Sequence, residues 1–409
     1  MSAERTAARA REALVLLSML FVFTWTIGYV AAWGSYSDFV QFYILGHVAR
    51  EGAFDALTSN DAFLAQQLRL LPATWTTPFP AVYPPQIALL MRPFALLSYW
   101  PAFAVFMPLS VVTCLFTTWR MAATQPRLAQ WPRHVLVATA ASPILWTLVV
   151  QGQISALALM CLFVAWAALR NDRPGLAGAA LGVLAYKAPL VVPAMAVCLL
   201  AGEWTMVAGG LTAAVAQYAL PIPWGGWETV TAYLAHLLRL AQAPDALAQN
   251  LVLMHSWRTF WTAITPASVA PIAYAITAGA TVIGTAWVWR RLHDPLHRVA
   301  VLGAAIVLAS PHLYAYDLVL LIPLVVASAD LALAQPHSRF LWTLLWAGYF
   351  APMWSIPVAF LNVQGSTPVL AAWLVEFSRV ALSAGRDFSP AARPALDRGV
   401  VLHRDPSPG

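Results

Sequence analysis

Two isolated charged residues in apolar surroundings are the first candidates for chemistry in this sequence. Lys187 is the only lysine of the chain and lies in Leu184-Ala-Tyr-Lys187-Ala-Pro189, between two apolar stretches. An ionisable group at membrane depth is costly and usually functional. Pro189 suits the first turn of a helix, whose free N–H groups and positive dipole end attract anions. The pattern indicates a phosphate clamp; a lysine reaching to the membrane surface is the alternative.

Asp38 is the second candidate, and it begins the stretch Asp38-Phe39-Val40-Gln41-Phe42-Tyr43 after the first apolar run. A carboxylate at this place could accept the proton of an attacking hydroxyl, as a general base does. It could equally cap the helix that follows, because Ser and Asp are favoured at helix N-caps. Asp55 and Asp61 resemble ordinary cap or loop carboxylates. The residues alone therefore leave both roles of Asp38 open.

Aromatic and basic residues follow Asp38 within one long polar segment, 34–98, which we expect to cap the site from outside. Two short helices are predicted in it, at about 38–56 and 59–70. Tyr83-Pro84-Pro85 then places prolines in the first turn of a further helix. Arg92, seven residues after the second proline, lies on nearly the same face of that helix. Arg92 could contact a phosphate or a lipid headgroup.

Three further polar groups could bind a substrate. Ser310-Pro311-His312-Leu-Tyr314-Ala-Tyr316-Asp317 ends another apolar run, and its His312, Tyr316 and Asp317 suit sugar stacking and hydroxyl binding. An interfacial turn with a capped helix is the alternative. Gln151-Gly152-Gln153 is a tight turn whose amides, Gln153 above all, could bind a sugar or only satisfy the turn. Arg258, in a second outer segment at 223–261, is a weaker phosphate candidate.

The composition requires a membrane around these residues. Charged residues make up 10% of the 409 and hydrophobic residues 60%, whereas a soluble domain has about 25% charged residues. Spans must be helices or a closed barrel, and long apolar runs without alternation favour helices. We therefore predict an all-α polytopic transmembrane protein. The basic residues are scattered over short loops, which argues against a nucleic-acid partner. The three cysteines lie in apolar runs and predict no disulfide or metal site.

Twelve membrane spans are predicted, at 13–33, 99–119, 134–150, 153–169, 175–187, 189–202, 204–222, 262–289, 298–315, 317–334, 339–357 and 367–384. Those at 175–187 and 189–202 are short for a core of about 30 Å and are expected to be half-spans. The run 84–97, broken at Arg92-Pro93, is expected to dip into the outer leaflet. With this map most of the 23 basic residues fall on the side of both termini, which predicts cytoplasmic termini in the inner or plasma membrane. Residues 1–385 form one domain and 386–409 a disordered tail.

An ordered set of motifs resembles glycosyltransferase family 87, the polyprenyl-phosphate-mannose-dependent α-mannosyltransferase-like family of the GT-C superfamily. The set spans about residues 30–335 and consists of Asp38 with Tyr43 and Gly52, Tyr83-Pro84-Pro85, Gly152-Gln153, Ala177-Gly178, Tyr186-Lys187-Ala-Pro189 and Ser310-Pro311. The resemblance implies a GT-C fold, an outer active site, a polyprenyl-phosphate-linked sugar donor and an inverting displacement at the anomeric carbon. It also implies that Asp38 is the general base and that Lys187 lies near the lipid phosphate.

The resemblance leaves the sugar and the acceptor open. The family often has a pair of histidines after its Ser-Pro, whereas this chain continues His312-Leu-Tyr-Ala-Tyr316. We expect a mannose-like sugar, a glycan or glycolipid acceptor of the cell envelope held by aromatic residues such as Tyr43 and Tyr83, contacts with membrane lipids, and no metal or other cofactor. A transporter or flippase for a lipid-linked glycan is one alternative, and a polymerase or ligase for such a glycan is another.

Overall fold

The computed structural model describes residues 37–72, 75, 78–242, 254–335, 338–354 and 364–387. Within these ranges the chain is helical, and an isolated bridge between Met254 and Tyr314 is the one extended pairing. This agrees with the predicted all-α class. The predicted first span at 13–33 lies outside the described residues. The predicted tail begins at Arg386, but the last helix includes that residue and ends at Asp387; the rest of the tail is outside the described ranges.

Seventeen α-helices form the described part of the chain. They are α1 (Phe39–Glu51), α2 (Asn60–Leu70), α3 (Pro85–Met91), α4 (Tyr99–Ala122), α5 (Pro132–Ala140), α6 (Pro143–Gln151), α7 (Ser155–Arg170), α8 (Pro174–Val183), α9 (Ala188–Ala201), α10 (Trp204–Ala219), α11 (Ile222–Gln242), α12 (Trp257–Ile264), α13 (Ala270–Trp289), α14 (Pro295–Ala309), α15 (Ile322–Ala334), α16 (Arg339–Tyr349) and α17 (Ser366–Asp387). Short 3₁₀ helices join several of them, including Leu184–Tyr186 before α9 and Ala315–Leu321 before α15.

Several of these helices are suited to a membrane. Three elements are long and apolar enough to cross one: α4, α13, and the continuous stretch Ala315–Ala334 that includes α15. Two pairs qualify only when each is taken as one bent span, α5 with α6 at 45° and α10 with α11 at 108°. Helices α7, α8, α9 and α14 are apolar but shorter. The described residues thus hold three to five candidate spans by length and composition, and the predicted twelve are not confirmed.

Prolines and small polar residues explain where the apolar runs divide. The predicted span 134–150 is two helices, because Ser142 accepts the Ile144 N–H at 3.3 Å as an N-cap and Pro143 occupies the first turn of α6. The predicted span 262–289 divides in the same way between α12 and α13, where Pro266 and Pro271 interrupt the run. Hydrophobicity alone does not register these breaks, since proline is common in apolar stretches.

The outer segment forms a layer around α1. Helix α1 is buried along almost its whole length, with Phe39 5.1 Å from the ring of Phe106 in α4 and Phe42 4.8 Å from the ring of Tyr83. The predicted helix at 38–56 ends earlier than expected because Gly52 turns the chain with a φ of 73°. The predicted helix at 59–70 matches α2, which Ser59 caps by accepting the Ala62 N–H at 3.2 Å. Asp38 immediately precedes the buried helix α1.

Helices α8 and α10 make the closest backbone contact among the described helices, and glycines permit it. A Cβ added at Gly178 would overlap the carbonyl of Met206, and one at Gly182 would overlap the carbonyl of Gly210. Small residues at such a crossing let two membrane helices approach each other. This contact fixes α8, and with it the Lys187 break at the end of that helix.

We expect Gly178→Ala to destabilise the protein although alanine is the better helix former. Overpacking against the Met206 backbone costs about 1–3 kcal/mol, which outweighs the gain of about 1 kcal/mol in helix propensity. The melting temperature of the purified protein in detergent, followed by tryptophan fluorescence, measures the change. The control is Gly279→Ala in α13, where an added Cβ meets no atom within 4 Å. Equal melting temperatures for the two variants would contradict this account of the helix contact.

Candidate active site

Breaks between helices meet at one end of the bundle and bring distant polar residues together. Asp38 precedes α1, Gln153 lies between α6 and α7, and Lys187 lies between α8 and α9. Asp317 lies in the 3₁₀ helix that leads into α15. Hydrogen bonds and an ion pair connect these breaks across more than a hundred residues of sequence. The residues predicted from the sequence as general base and phosphate clamp therefore share one end of the fold.

The turn Gln151-Gly152-Gln153 holds the backbone of Asp38. The Asp38 N–H donates to the Gln151 carbonyl at 2.9 Å, and the Ser37 hydroxyl donates to the same oxygen at 3.4 Å. Gly152 has a φ of 64°, and a Cβ at this position would overlap the Ser37 side chain. Both the left-handed conformation and the lack of space favour glycine there. The start of α1 and the α6–α7 turn are thus fitted to each other.

The carboxylate of Asp38 is oriented by an amide and does not cap α1. Asp38 makes no side-chain bond to the helix, and the Ser37 hydroxyl accepts the Phe39 N–H instead at 3.3 Å. The Gln153 side-chain N–H donates to Asp38 Oδ2, and the hydroxyl of buried Tyr83 donates to Gln153 Oε1 at 3.3 Å. Both ends of the Gln153 amide are therefore engaged, which fixes the direction of the carboxylate.

The protonation of Asp38 is set by its surroundings. Burial raises its pKa to about 6, because the charged carboxylate is poorly hydrated among protein atoms. The hydrogen bond from Gln153 and the charge of Lys187 oppose this rise, and the charge of Asp317 adds to it. The side chain nevertheless stays partly accessible. A partly accessible carboxylate with a pKa near neutrality has the properties of a general base.

Lys187 forms an ion pair with Asp317 inside the bundle. Lys187 Nζ lies 2.6 Å from Asp317 Oδ2, and the Ser155 hydroxyl donates to Asp317 Oδ1 at 2.6 Å. The Asp317 side chain is fully buried, whereas the Lys187 side chain keeps 10% of its surface accessible. The ammonium also lies 5.0 Å from the ring centre of Tyr316, on its face. As predicted from the sequence, Lys187 directly precedes a helix, α9, with a proline in its first turn.

Aromatic and basic residues of the Ser310–Asp317 cluster line the same region. The ring of Tyr314 stacks on that of Tyr316 at 5.4 Å and meets that of His312 edge-on at 5.0 Å. Arg258 donates to the Pro311 carbonyl at 3.3 Å, and the Ser310 hydroxyl donates to the Pro189 carbonyl at 2.7 Å. The Ser310 bond joins this cluster to the first turn of α9.

His312 has an unused ring nitrogen in this cluster. Its Nδ1 is buried and finds no hydrogen-bond partner among the described residues. Burial, with the nearby charges of Lys187 and Arg258, lowers the pKa of His312 to about 4, against the opposing charge of Asp317. The imidazole is therefore neutral at neutral pH and able to bond to a polar group that enters the site.

Two residues predicted to bind substrate lie elsewhere. The Tyr43 hydroxyl donates to the Leu97 carbonyl at 3.0 Å, and its ring packs on Tyr99 and His47. Arg92 is exposed at the end of α3, and no hydrogen bond or ion pair joins it to the described site residues. Tyr83 and Gln153 do lie at the site, although their bonds run to each other and to Asp38. Binding of substrate by these four residues stays a prediction.

Ser155 is the functional residue that the sequence did not single out. It begins α7 two positions after Gln153 and fixes the free oxygen of Asp317. The available signal was the run Gln151-Gly152-Gln153-Ile154-Ser155, in which three polar side chains follow an apolar helix. A cleft of about 590 Å³ lies at the opposite end of these helices, lined by Arg170, Glu203 and Arg298 among others. It contains none of the predicted site residues.

Comparison with known proteins gives one match. The sequence profile of glycosyltransferase family 87 matches residues 81–311, which is more than half of the chain. Tyr83, Gln153, Lys187 and Arg258 lie within the matched range, whereas Asp38 and Asp317 lie outside it. The chain has no significant match among curated proteins or among solved structures. On the strength of the profile, the chain belongs to glycosyltransferase family 87.

Proposed function

We propose that this protein transfers a mannose-like monosaccharide from a polyprenyl-phosphate donor to a hydroxyl of a glycan or glycolipid acceptor, on the outer side of the cell membrane. Family membership supports the sugar transfer. One observation carries the rest: Asp38, a partly accessible carboxylate with a pKa near 6, lies close enough to Lys187 and Asp317 to respond to both charges. A base and a cation in one pocket fit the two ends of a displacement reaction.

The reaction is an inverting displacement in one step. The Asp38 carboxylate takes the proton of the acceptor hydroxyl, and the acceptor oxygen forms a bond to the anomeric carbon of the sugar. The bond between that carbon and the phosphate oxygen breaks, and both electrons leave with the phosphate. The product is a glycoside of inverted configuration, together with polyprenyl phosphate and a protonated Asp38. Asp38 returns its proton to water before the next turnover.

Lys187 is proposed to stabilise the charge that develops on the leaving phosphate. Its ammonium stands at the accessible edge of a pair whose other member, Asp317, is fully buried. Lys187 therefore faces the incoming donor, while Asp317 keeps the amine charged and in place. Arg258 and the neutral imidazole of His312 lie beside the pair and can bond to phosphate or sugar oxygens. Tyr314 and Tyr316 offer a stacked surface for the sugar.

The proposed side of the membrane follows from charge. The ends of α8 and α9 that meet at Lys187 carry the site, and the opposite end of the bundle carries Arg170, Arg173, Arg290 and Arg298. Arginines concentrate on the cytoplasmic side of membrane proteins. The site then lies on the outer side, where a lipid-linked donor can enter from the leaflet. A transporter or flippase for a lipid-linked glycan would move its cargo without forming a glycosidic bond.

We expect Asp38→Asn to lower sugar transfer by about 10²–10⁴-fold, because an amide cannot accept the acceptor proton. Transfer from a short-chain polyprenyl-phosphate mannose to a glycolipid acceptor, by purified protein in detergent, is the assay. Asp55→Asn is the control, since Asp55 is an exposed carboxylate of the same outer segment. Asp38 is excluded as the base if its variant, with wild-type expression and melting temperature, transfers sugar at the wild-type rate.

The pH profile of transfer should report the pKa of Asp38. The base works deprotonated, so kcat/KM should be constant above an apparent pKa of about 6 and fall about tenfold per pH unit below it. Gln153→Leu removes a hydrogen bond that lowers the Asp38 pKa, so the acid limb should move to higher pH. Gln130→Leu, an exposed amide at the other end of the bundle, should leave the profile unchanged. A slower Gln153 variant with an unmoved limb would contradict this role of the amide.

A double substitution separates the chemistry of Lys187 from its structural role. Lys187→Met alone leaves Asp317 charged and unpaired, which should cost about 3–5 kcal/mol of stability. Adding Asp317→Asn removes that charge and keeps an acceptor for the Ser155 hydroxyl. The double variant should regain much of the lost melting temperature and still show a KM for the donor raised about tenfold or more. Recovery of stability together with a wild-type donor KM would remove the phosphate-binding role.

A further inference from the structure

Helix α11 runs across the direction of the helix before it. The axes of α10 and α11 differ by 108°, and the turn between them contains Pro221. A second change of direction occurs at Gly226, whose φ of 73° is not helical. Because α10 is an apolar helix of the kind that crosses a membrane, α11 lies close to the membrane plane. A span that continued straight would not turn by more than a right angle.

One face of α11 is packed onto the outer segment. Val230, Tyr233 and His236 are buried on this face, at helical spacings of three residues. The Tyr233 hydroxyl donates to the Val82 carbonyl at 3.0 Å, and the His236 Nε2–H donates to the Ala81 carbonyl at 2.8 Å. These two bonds hold α11 against the chain that leads directly into Tyr83. The helix is therefore a fixed part of the layer around the site.

The other faces of α11 differ in character. Trp227, Leu234 and Leu238 follow one another at spacings of seven and four residues, and they are 61%, 41% and 66% exposed. Such spacings place them on one side of a helix. Glu228 and Arg239 are also exposed but lie on a separate face, about a quarter turn away at 100° per residue. The helix thus has a packed face, an apolar exposed face and a polar exposed face.

The apolar exposed face continues the lipid-facing surface of α10. Leu211 and Val215 of α10 are 61% and 69% exposed, as residues toward lipid are, and exposed Leu220 and Trp224 lie between them and the apolar face of α11. We propose that this face of α11 embeds in the membrane leaflet on the side of the candidate site, at the boundary between headgroups and acyl chains. Tryptophan and leucine favour this boundary, and an amphipathic helix there lies in the membrane plane.

Fluorescent labels on two faces of α11 test the proposal in the full-length protein. Single cysteines replace Leu234 or Leu238 on the apolar face, and Glu228 or Arg239 on the polar face as matched controls. The three native cysteines are buried, so the unsubstituted chain serves as the labelling blank. The protein is placed, one copy each, in nanodiscs of phosphatidylcholine and phosphatidylglycerol. Quenching by a nitroxide on carbon 5 of the acyl chain is compared with quenching by aqueous iodide.

The proposal expects opposite results on the two faces. Labels at 234 and 238 should be quenched about threefold more by the lipid nitroxide than labels at 228 and 239, and iodide should give the reverse order. Strong iodide quenching at 234 and 238 would mean that the face meets water, which overturns the proposal. Equal lipid quenching at all four positions would place α11 within the acyl chains and also overturn it. The same holds for quenching by neither agent, because protein would then cover the face.

Discussion

The ion pair between Lys187 and Asp317 sets the arrangement of the site. Asp317 is fully buried in an apolar bundle, with Lys187 on one oxygen and Ser155 on the other at 2.6 Å each. A buried charge without a partner costs several kcal/mol, and this cost rises in a membrane interior. The start of α7, the break between α8 and α9, and the start of the α15 stretch must therefore stand at the same level. The pair by itself adds little to stability; it specifies which helix breaks meet.

A short piece of chain connects this pair to Asp38. Gln153 donates to the Asp38 carboxylate, and Ser155, two residues later, donates to Asp317. Gly152 fits against Ser37 and Phe39, so the same turn also fixes the backbone at Asp38. The distance between the proposed base and the proposed phosphate-binding amine is thus determined mainly by the α6–α7 turn. Rigid placement of reacting groups is a large part of enzymatic rate enhancement.

Much of this could be predicted from sequence where single residues were unusual in their surroundings. A lone lysine before a proline in an apolar run indicated both the break before α9 and a functional amine. The alternative role of Asp38 as a helix cap could not be excluded in the same way, because capping preferences do not reveal that Ser37 provides the cap. Ser155 was missed since its partner lies 162 residues away. Tyr43 and Tyr83 also look alike in sequence, yet only Tyr83 reaches Gln153.

The number of membrane helices shows a different limit of sequence reasoning. Hydrophobicity predicted twelve spans, whereas length and composition of the described helices support three to five. Prolines and capping serines divide apolar runs into shorter pieces, and such pieces are stable in a membrane protein where neighbouring helices bury their ends. The ends that meet at Lys187 and Asp317 are of this kind. Interrupted helices are therefore both the reason for the miscount and the means by which the site is built.

The most direct measurement is a cryo-EM structure with a phosphonate analogue of the polyprenyl-phosphate sugar, in which a carbon replaces the scissile oxygen. The account predicts a phosphonate oxygen about 3 Å from Lys187 Nζ and the anomeric carbon between the phosphonate and the Asp38 carboxylate. A phosphonate bound in the cleft near Arg170 and Arg298, or an Asp38 carboxylate on the same side of the anomeric carbon as the phosphonate, would contradict it.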